Sequence, residues 1–220
     1  MRNLLITVFL CITTISLAQQ SGIKLGFQFS QDNISGEGAL KGDTEYYYNR
    51  ISRNEFNFST GLTARFLTQS NLSFQTGVYY SQKDFKAVFS CPQCFYINSL
   101  TIAPVLPNSI KNRFLSIPFL IRYDGNGQKL SPILEAGITN NFLVSDGEFN
   151  QTKPAFQEGI LGLGLGFALN SNLGLEVKYN YRTALSSIYK NQQKWEFTEE
   201  NDPNKLNTNS FQFGLSYTLK

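Results

Sequence analysis

The chain has 220 residues, enough for one domain with sizeable loops. Charged residues make up 16% and aromatics 14%, with 19 Phe and 11 Tyr beside a single Trp, the opposite of the balance found in disordered chains. A net charge of +3 without long basic runs is too weak to imply a nucleic-acid partner. The absence of histidine excludes His-based triads, His-ligated zinc and His general bases.

The first residues differ from the rest. Arg2 and Asn3 form a short positive start, and Leu4 to Leu17 are almost all apolar or small. Ser16 and Ala18 then stand at positions −3 and −1 of a cleavage site, which predicts a secretory signal peptide over residues 1–18 and a mature domain over 19–220. The apolar stretch is short for about 30 Å of hydrocarbon, and no stop-transfer charges follow it. Phe9 and Leu10 are too bulky to make Cys11 a lipoprotein cysteine. After residue 20 no stretch is long and apolar enough for a transmembrane helix.

From there the chain reads in period two, as strands with one apolar face. Ile23, Leu25, Phe27 and Phe29 oppose Lys24, Gly26, Gln28 and Ser30. Phe56, Phe58, Leu62, Ala64 and Phe66 oppose Asn57, Ser59, Gly61, Thr63 and Arg65. Leu72, Phe74, Val78 and Tyr80 oppose Ser73, Gln75, Gly77 and Ser81. Leu115, Ile117, Phe119 and Ile121 oppose Ser116, Pro118 and Arg122. Leu134, Ala136, Ile138 and Phe142 oppose Glu135, Gly137, Thr139 and Asn141. In the sixth segment Leu161, Leu163, Leu165 and Phe167 oppose Gly162, Gly164 and Gly166. Leu173, Leu175, Val177, Tyr179 and Tyr181 then oppose Gly174, Glu176, Lys178, Asn180 and Arg182. The last segment sets Phe211, Phe213, Leu215, Tyr217 and Leu219 against Gln212, Gly214, Ser216 and Thr218.

Eight such segments predict an all-β, eight-stranded antiparallel up-and-down barrel, and about 9–11 tilted residues per strand suffice to cross a membrane. The connections alternate. Residues 32–52, 86–112, 145–156 and 185–208 read as long, polar and irregular. Thr68–Asn71, Asp124–Lys129 and Asn170–Asn172 are short and rich in turn residues. Short turns on one side and long loops on the other predict periplasmic turns and extracellular loops in a Gram-negative outer membrane.

Residue size decides which face meets lipid. The polar faces are rich in Gly, Ser and Thr and hold nearly all strand charges: Lys24, Arg65, Arg122, Glu135, Glu176, Lys178 and Arg182. An eight-stranded barrel has little internal room. Large Phe, Tyr and Leu side chains would overfill it, whereas small residues and charge pairs fit. An interior charge cluster of those seven residues is therefore expected, with Glu135 and Glu176 neutralising basic partners. Tyr79, Tyr80, Phe142, Tyr179 and Tyr181 near the loop ends, and Phe66, Tyr123, Phe167 and Tyr217 near the turn ends, suggest two interfacial aromatic girdles.

Cys91-Pro-Gln-Cys94 is the one sharp local motif. A redox site needs a helix N-terminus after a strand, and zinc needs a second ligand pair. Secretion favours a small Cys91–Cys94 disulfide loop instead. The spacing of Gly162-x-Gly-x-Gly166 is not that of a phosphate loop, so it reads as a strand whose inward face is bare to make room for a facing side chain. Exposed aromatics in the long stretches, Tyr46-Tyr47-Tyr48, Phe95-Tyr96, Trp195 and Phe197, suggest a protein or glycan partner.

The opening Gly22-Ile-Lys-Leu-Gly-Phe27, Phe74-Gln-Thr-Gly-Val-Tyr-Tyr-Ser-Gln-Lys83 and Phe114-Leu-Ser-Ile-Pro-Phe119 resemble the PorT-like outer-membrane β-barrel family of the Bacteroidetes. So do Glu135-Ala-Gly137, Gly162-Leu-Gly-Leu-Gly-Phe167 and Leu175-Glu-Val-Lys-Tyr-Asn-Tyr-Arg182, and the resemblance runs from about residue 22 to 219. It implies fold and location more than activity, with one member linked to secretion and gliding. The expected function is a non-enzymatic envelope barrel, without cofactor or metal, that displays loops or docks partners. A soluble lipocalin-like binder of an apolar ligand and a narrow pore are the alternatives.

Overall fold

The computed structural model describes residues 22–35, 39–41, 47–51, 55–67, 71–90, 108–127, 129–146, 152–186, 188 and 207–219. Residues 1–18, read above as a signal peptide, the Cys91–Cys94 motif, Tyr46, Phe95-Tyr96, Trp195 and Phe197 lie outside the described residues, as do the side chains of Tyr47 and Tyr48. The strands, in chain order, are β1 (Ile23–Ser35), β2 (Ala39–Lys41), β3 (Tyr47–Ile51), β4 (Asn57–Leu67), β5 (Leu72–Gln82), β6 (Phe85–Ser90), β7 (Asn108–Ile110), β8 (Arg113–Asp124), β9 (Leu130–Ser145), β10 (Ala155–Ala168), β11 (Leu173–Ala184) and β12 (Asn207–Leu219).

Eight of these close into an antiparallel barrel in the order β1-β12-β11-β10-β9-β8-β5-β4. Every barrel strand pairs with its neighbours along the chain, and β1 closes the ring between β12 (Ile23↔Leu219 to Ser35↔Asn207) and β4 (Ile23↔Phe66 to Asp32↔Asn57). Strands β2, β3, β6 and β7 form a separate four-stranded sheet. They fall in the stretches 32–52 and 86–112 or at their border. Those stretches are therefore not wholly irregular, because backbone groups there find partners in a second ladder.

The eight segments show the anticipated period. Most of their apolar residues face outward and their small, polar and charged residues face the lumen, which Leu120, Ile133 and Ile160 also enter. On β10, Leu161 and Leu163 are 64% and 60% exposed, while the facing Glu135 and Lys178 are 4% and 1% exposed. A soluble binder would be apolar within and polar without, the reverse of what is observed. An apolar belt running round the whole barrel is far larger than the patches soluble monomers tolerate.

Outward aromatics contact one another towards each end. Phe58 lies 6.2 Å from Phe29, 6.0 Å from Phe56 and 6.1 Å from Tyr80 at the loop end, and Phe74 lies 6.3 Å from Phe66 nearer the turns. Tyr79 corrects the girdle expectation. It shares the parity of Gln75 and Ser81, so its ring lies inside the barrel at 7% exposure, with its hydroxyl donating to Gln28 Oε1.

Two local features show why particular residues are needed. In the turn between β8 and β9, a Cβ on Gly127 would sit 1.7 Å from the Leu130 carbonyl oxygen. On β10, Gly162 stands opposite Glu135 on one side and Asn180 on the other. A Cβ there would meet Asn180 Oδ1 at 2.3 Å and Glu135 Cγ at 2.5 Å. The bare face of β10 is thus the space into which β9 and β11 send their polar side chains. Gly162→Leu should destabilise the barrel by about 1–3 kcal/mol through overpacking, read as a lower urea midpoint in detergent. An unchanged midpoint would contradict the close packing.

Candidate functional site in the barrel lumen

The lumen is filled by polar layers. At the turn end, Glu176 of β11 ties two strands on the far wall. Its carboxylate accepts from Arg122 of β8 at 2.7 and 3.0 Å and from Arg65 of β4 at 2.5 Å. Arg122 also donates to Asp124 at 2.7 Å, and Arg65 lies 3.5 Å from the same carboxylate. Lys24, half-buried, stands across the β1–β4 ladder from Arg65 and pairs with no carboxylate among the described residues.

The next layer is the pair Lys178–Glu135, at 2.8 and 3.1 Å, which bridges β11 and β9 over the bare glycines of β10. Beside it runs an uncharged chain. Asn180 donates to Gln212 at 2.5 Å, Gln212 donates to Gln28 at 2.6 Å, and Tyr79 donates to the same Gln28 oxygen. Nearer the loops, Arg182 lies 3.6 Å from Asp32, whose carboxylate also accepts from Ser30 at 2.8 Å and Ser59 at 2.5 Å.

A further layer closes the loop end. Lys83 pairs with Glu158 at 2.5 Å, and Asn141 donates to the same carboxylate at 3.0 Å. Asp84 takes Arg113 and the backbone N–H of Asn112. Phe114 and Phe156 pack edge to face at 5.1 Å and are buried, as are Ile34 and Ile188 at this end. Lys83 sits 5.5 Å over the Phe156 ring.

Of the seven charges read from the sequence, six engage a partner of opposite sign, and Lys24 lies beside the turn-end group without one among the described residues. The sequence reading missed Asp32, Lys83, Asp84, Asp124 and Glu158. A signal for three of them was available. Asp32, Asp124 and Glu158 continue the inward parity of Lys24, Arg122 and Gly162, and five cations against two carboxylates left positive charge to be answered. Among the described residues no group of three or more His, Cys, Asp or Glu side chains is placed to hold a metal ion.

Free space is uneven. A cavity of about 410 Å³ opens at the turn end, lined by Lys24, Arg65, Arg122, Asp124 and Glu176. In mid-lumen a pocket between Gln28, Tyr79, Glu135 and Arg182 has about 30 Å³, room for about two waters. Removing one member of a buried pair leaves the other charge uncompensated. Glu176→Gln should therefore cost about 3–5 kcal/mol, because Arg65 and Arg122 lose their shared acceptor. Urea titration of the refolded barrel measures it, and a change under about 1 kcal/mol would mean that water substitutes for the pair.

The fold has counterparts among solved structures. Neisserial surface protein A is 15% identical over 90% of this chain and 98% of its own, with a TM-score of 0.54. The outer membrane protein AlkL, solved by solid-state NMR in DMPC lipid bilayers, is 14% identical over 91% and 90%, with a TM-score of 0.52. These likenesses concern the fold. No curated protein matches the sequence. The family profile of the outer membrane protein β-barrel domain matches residues 4–218, nearly the whole chain. With its closed eight-stranded ring, apolar exterior and ion-paired lumen, the chain belongs to the outer membrane protein β-barrel domain family and is an outer-membrane transmembrane barrel.

Proposed function

We propose that this protein is a non-enzymatic barrel that presents its long connections outside the cell as a docking surface for an envelope protein or a glycan. In this reading both termini and the short turns face the periplasm, and residues 1–18 are removed on export. The carrying observation is the lumen. Among the described residues, a mid-section pocket of about 30 Å³ and a loop end covered by Phe114 and Phe156 leave little room for a solute, which favours a task in the loops. The same observation weighs against the narrow pore, and the polar interior weighs against a soluble binder of apolar ligands. The lumen charges are assigned a structural role, each pair sparing the barrel an outward-facing ion. The resemblance to the PorT-like family makes secretion the first envelope process to test for a partner.

Crosslinking on intact cells followed by identification of co-purifying envelope proteins tests the docking role. Capture at loop cysteines but not at turn cysteines supports it, and capture at neither removes it. Membrane depth gives a further expectation. Leu163→Arg, mid-strand on the outer face, should cost about 2–4 kcal/mol, and Leu169→Arg, just past the end of β10, about 0–1 kcal/mol. Heat-modifiable migration on unboiled gels and urea refolding into vesicles measure the difference; equal costs would argue against a bilayer centred on β10. Cys91 and Cys94 are assigned a small disulfide in the exported protein. Intact mass after alkylation, with and without reductant, should differ by two labels, and two thiols alkylated without reductant would remove the disulfide.

A further inference from the structure

The turn-end cavity has an electrostatic imbalance that the layers above it lack. Three basic side chains line it, Lys24, Arg65 and Arg122, against the two carboxylates of Asp124 and Glu176. Both carboxylates are already engaged by the two arginines. Lys24 is left over. It faces the same cavity from β1, directly across from Arg65, with no carboxylate in ion-pair distance among the described residues. Arg65 is buried, and its Nε is without a hydrogen-bond partner. Two neighbouring cations at a half-dehydrated mouth repel each other well inside a Debye length.

Shape agrees with charge. The cavity of about 410 Å³ falls in the size range of small-molecule sites, roughly 300–1,000 Å³. Hydroxyls of Ser73, Ser216 and Thr218 also line it. Its inner end meets the closed mid-lumen, so a ligand would enter and leave by one mouth. We propose that this vestibule binds a small oxyanion of the phosphate or carboxylate class, with Lys24 as the principal contact and Arg65 behind it. The site lies at the opposite end from the loops and stands independently of the docking role.

The test uses the refolded barrel in an uncharged maltoside detergent. Inorganic phosphate and, separately, citrate are titrated against chloride at matched ionic strength. The thermal midpoint is followed by heat-modifiable migration, and phosphate binding by ³¹P line broadening. The expected result is a saturable rise of roughly 2–4 °C beyond chloride. Lys24→Gln should weaken apparent affinity about tenfold, and Lys24→Arg should restore it. Thr218→Glu places a carboxylate opposite Lys24 on the paired strand and should abolish binding while keeping the lysine. It serves as the deciding variant if Lys24→Gln fails to fold. A response to phosphate alone or citrate alone assigns the class of oxyanion. A response to neither beyond chloride, or one unchanged in both Lys24→Gln and Thr218→Glu, overturns the site.

Discussion

A bilayer interior offers a peptide chain no hydrogen-bond partners, so each backbone N–H and C=O must be answered by the chain itself. The rest of this structure follows from that constraint. An open sheet would leave two rows of unpaired groups in hydrocarbon, and the ring removes both by pairing β1 with β12 as well as with β4. The ladder between β5 and β8 lapses from Thr76↔Phe119 to Tyr79↔Ser116. The lapse lies beside Pro118, which has no N–H to donate. Thr76 donates its hydroxyl to the Pro118 carbonyl oxygen at 2.8 Å, so a side chain mends the wall there.

Closure at eight strands sets the second consequence. Alternation sends half the side chains into a lumen too narrow for a large residue at every inward position, and the other half outward. Leu, Phe and Tyr are cheap on the outside, and Arg or Lys near the midplane there would cost about 2–4 kcal/mol each. Charge retained in the strands is thus confined to the inside, where it must be paired because a lone buried ion is costly. The pairs here cross between strands. Glu176 of β11 reaches Arg65 of β4 and Arg122 of β8, and Lys178 spans β10 to reach Glu135. The second span is possible because Gly162 and Gly164 leave β10 without side chains where the bridge passes. Glycine in mid-strand weakens a strand taken alone; here it is the condition for the Lys178–Glu135 ion pair.

Much of this was legible in the sequence, for a physical reason. In an inside-out barrel, parity and side-chain size report the same partition, so Leu161-Gly-Leu-Gly-Leu165 reveals both the strand and its orientation. What stayed hidden lay at the strand ends. Asp32, Asp124 and Glu158 sit where strand gives way to turn or loop, and their inward parity carries weight only once the strands are known to run to Ser35, Asp124 and Ala155. Tyr79 was misplaced because aromatic identity was weighed above parity, although Gln75 and Ser81 on the same strand point inward with it. Pairing partners were illegible throughout, since nothing in the chain order brings Arg65 and Glu176 together before the ring closes.

The two ends of the lumen are built on opposite principles. At the loop end an aromatic pair and buried aliphatics cover the Lys83–Glu158 bridge, and Phe114 and Phe156 exclude water from it. At the turn end the ionic group is left facing an open cavity, with cations in excess. Dehydration strengthens a paired charge and penalises an unpaired one. The stoppered end can therefore hold only matched ions, while the open end tolerates a surplus cation because water reaches it. Between them the mid-lumen hydrogen-bond chain of Tyr79, Gln28, Gln212 and Asn180 occupies the bore. Among the described residues the mid-lumen pocket narrows to about 30 Å³. The cross-lumen ties of Glu176 to Arg65 and Arg122 join opposite walls and oppose any change in their separation.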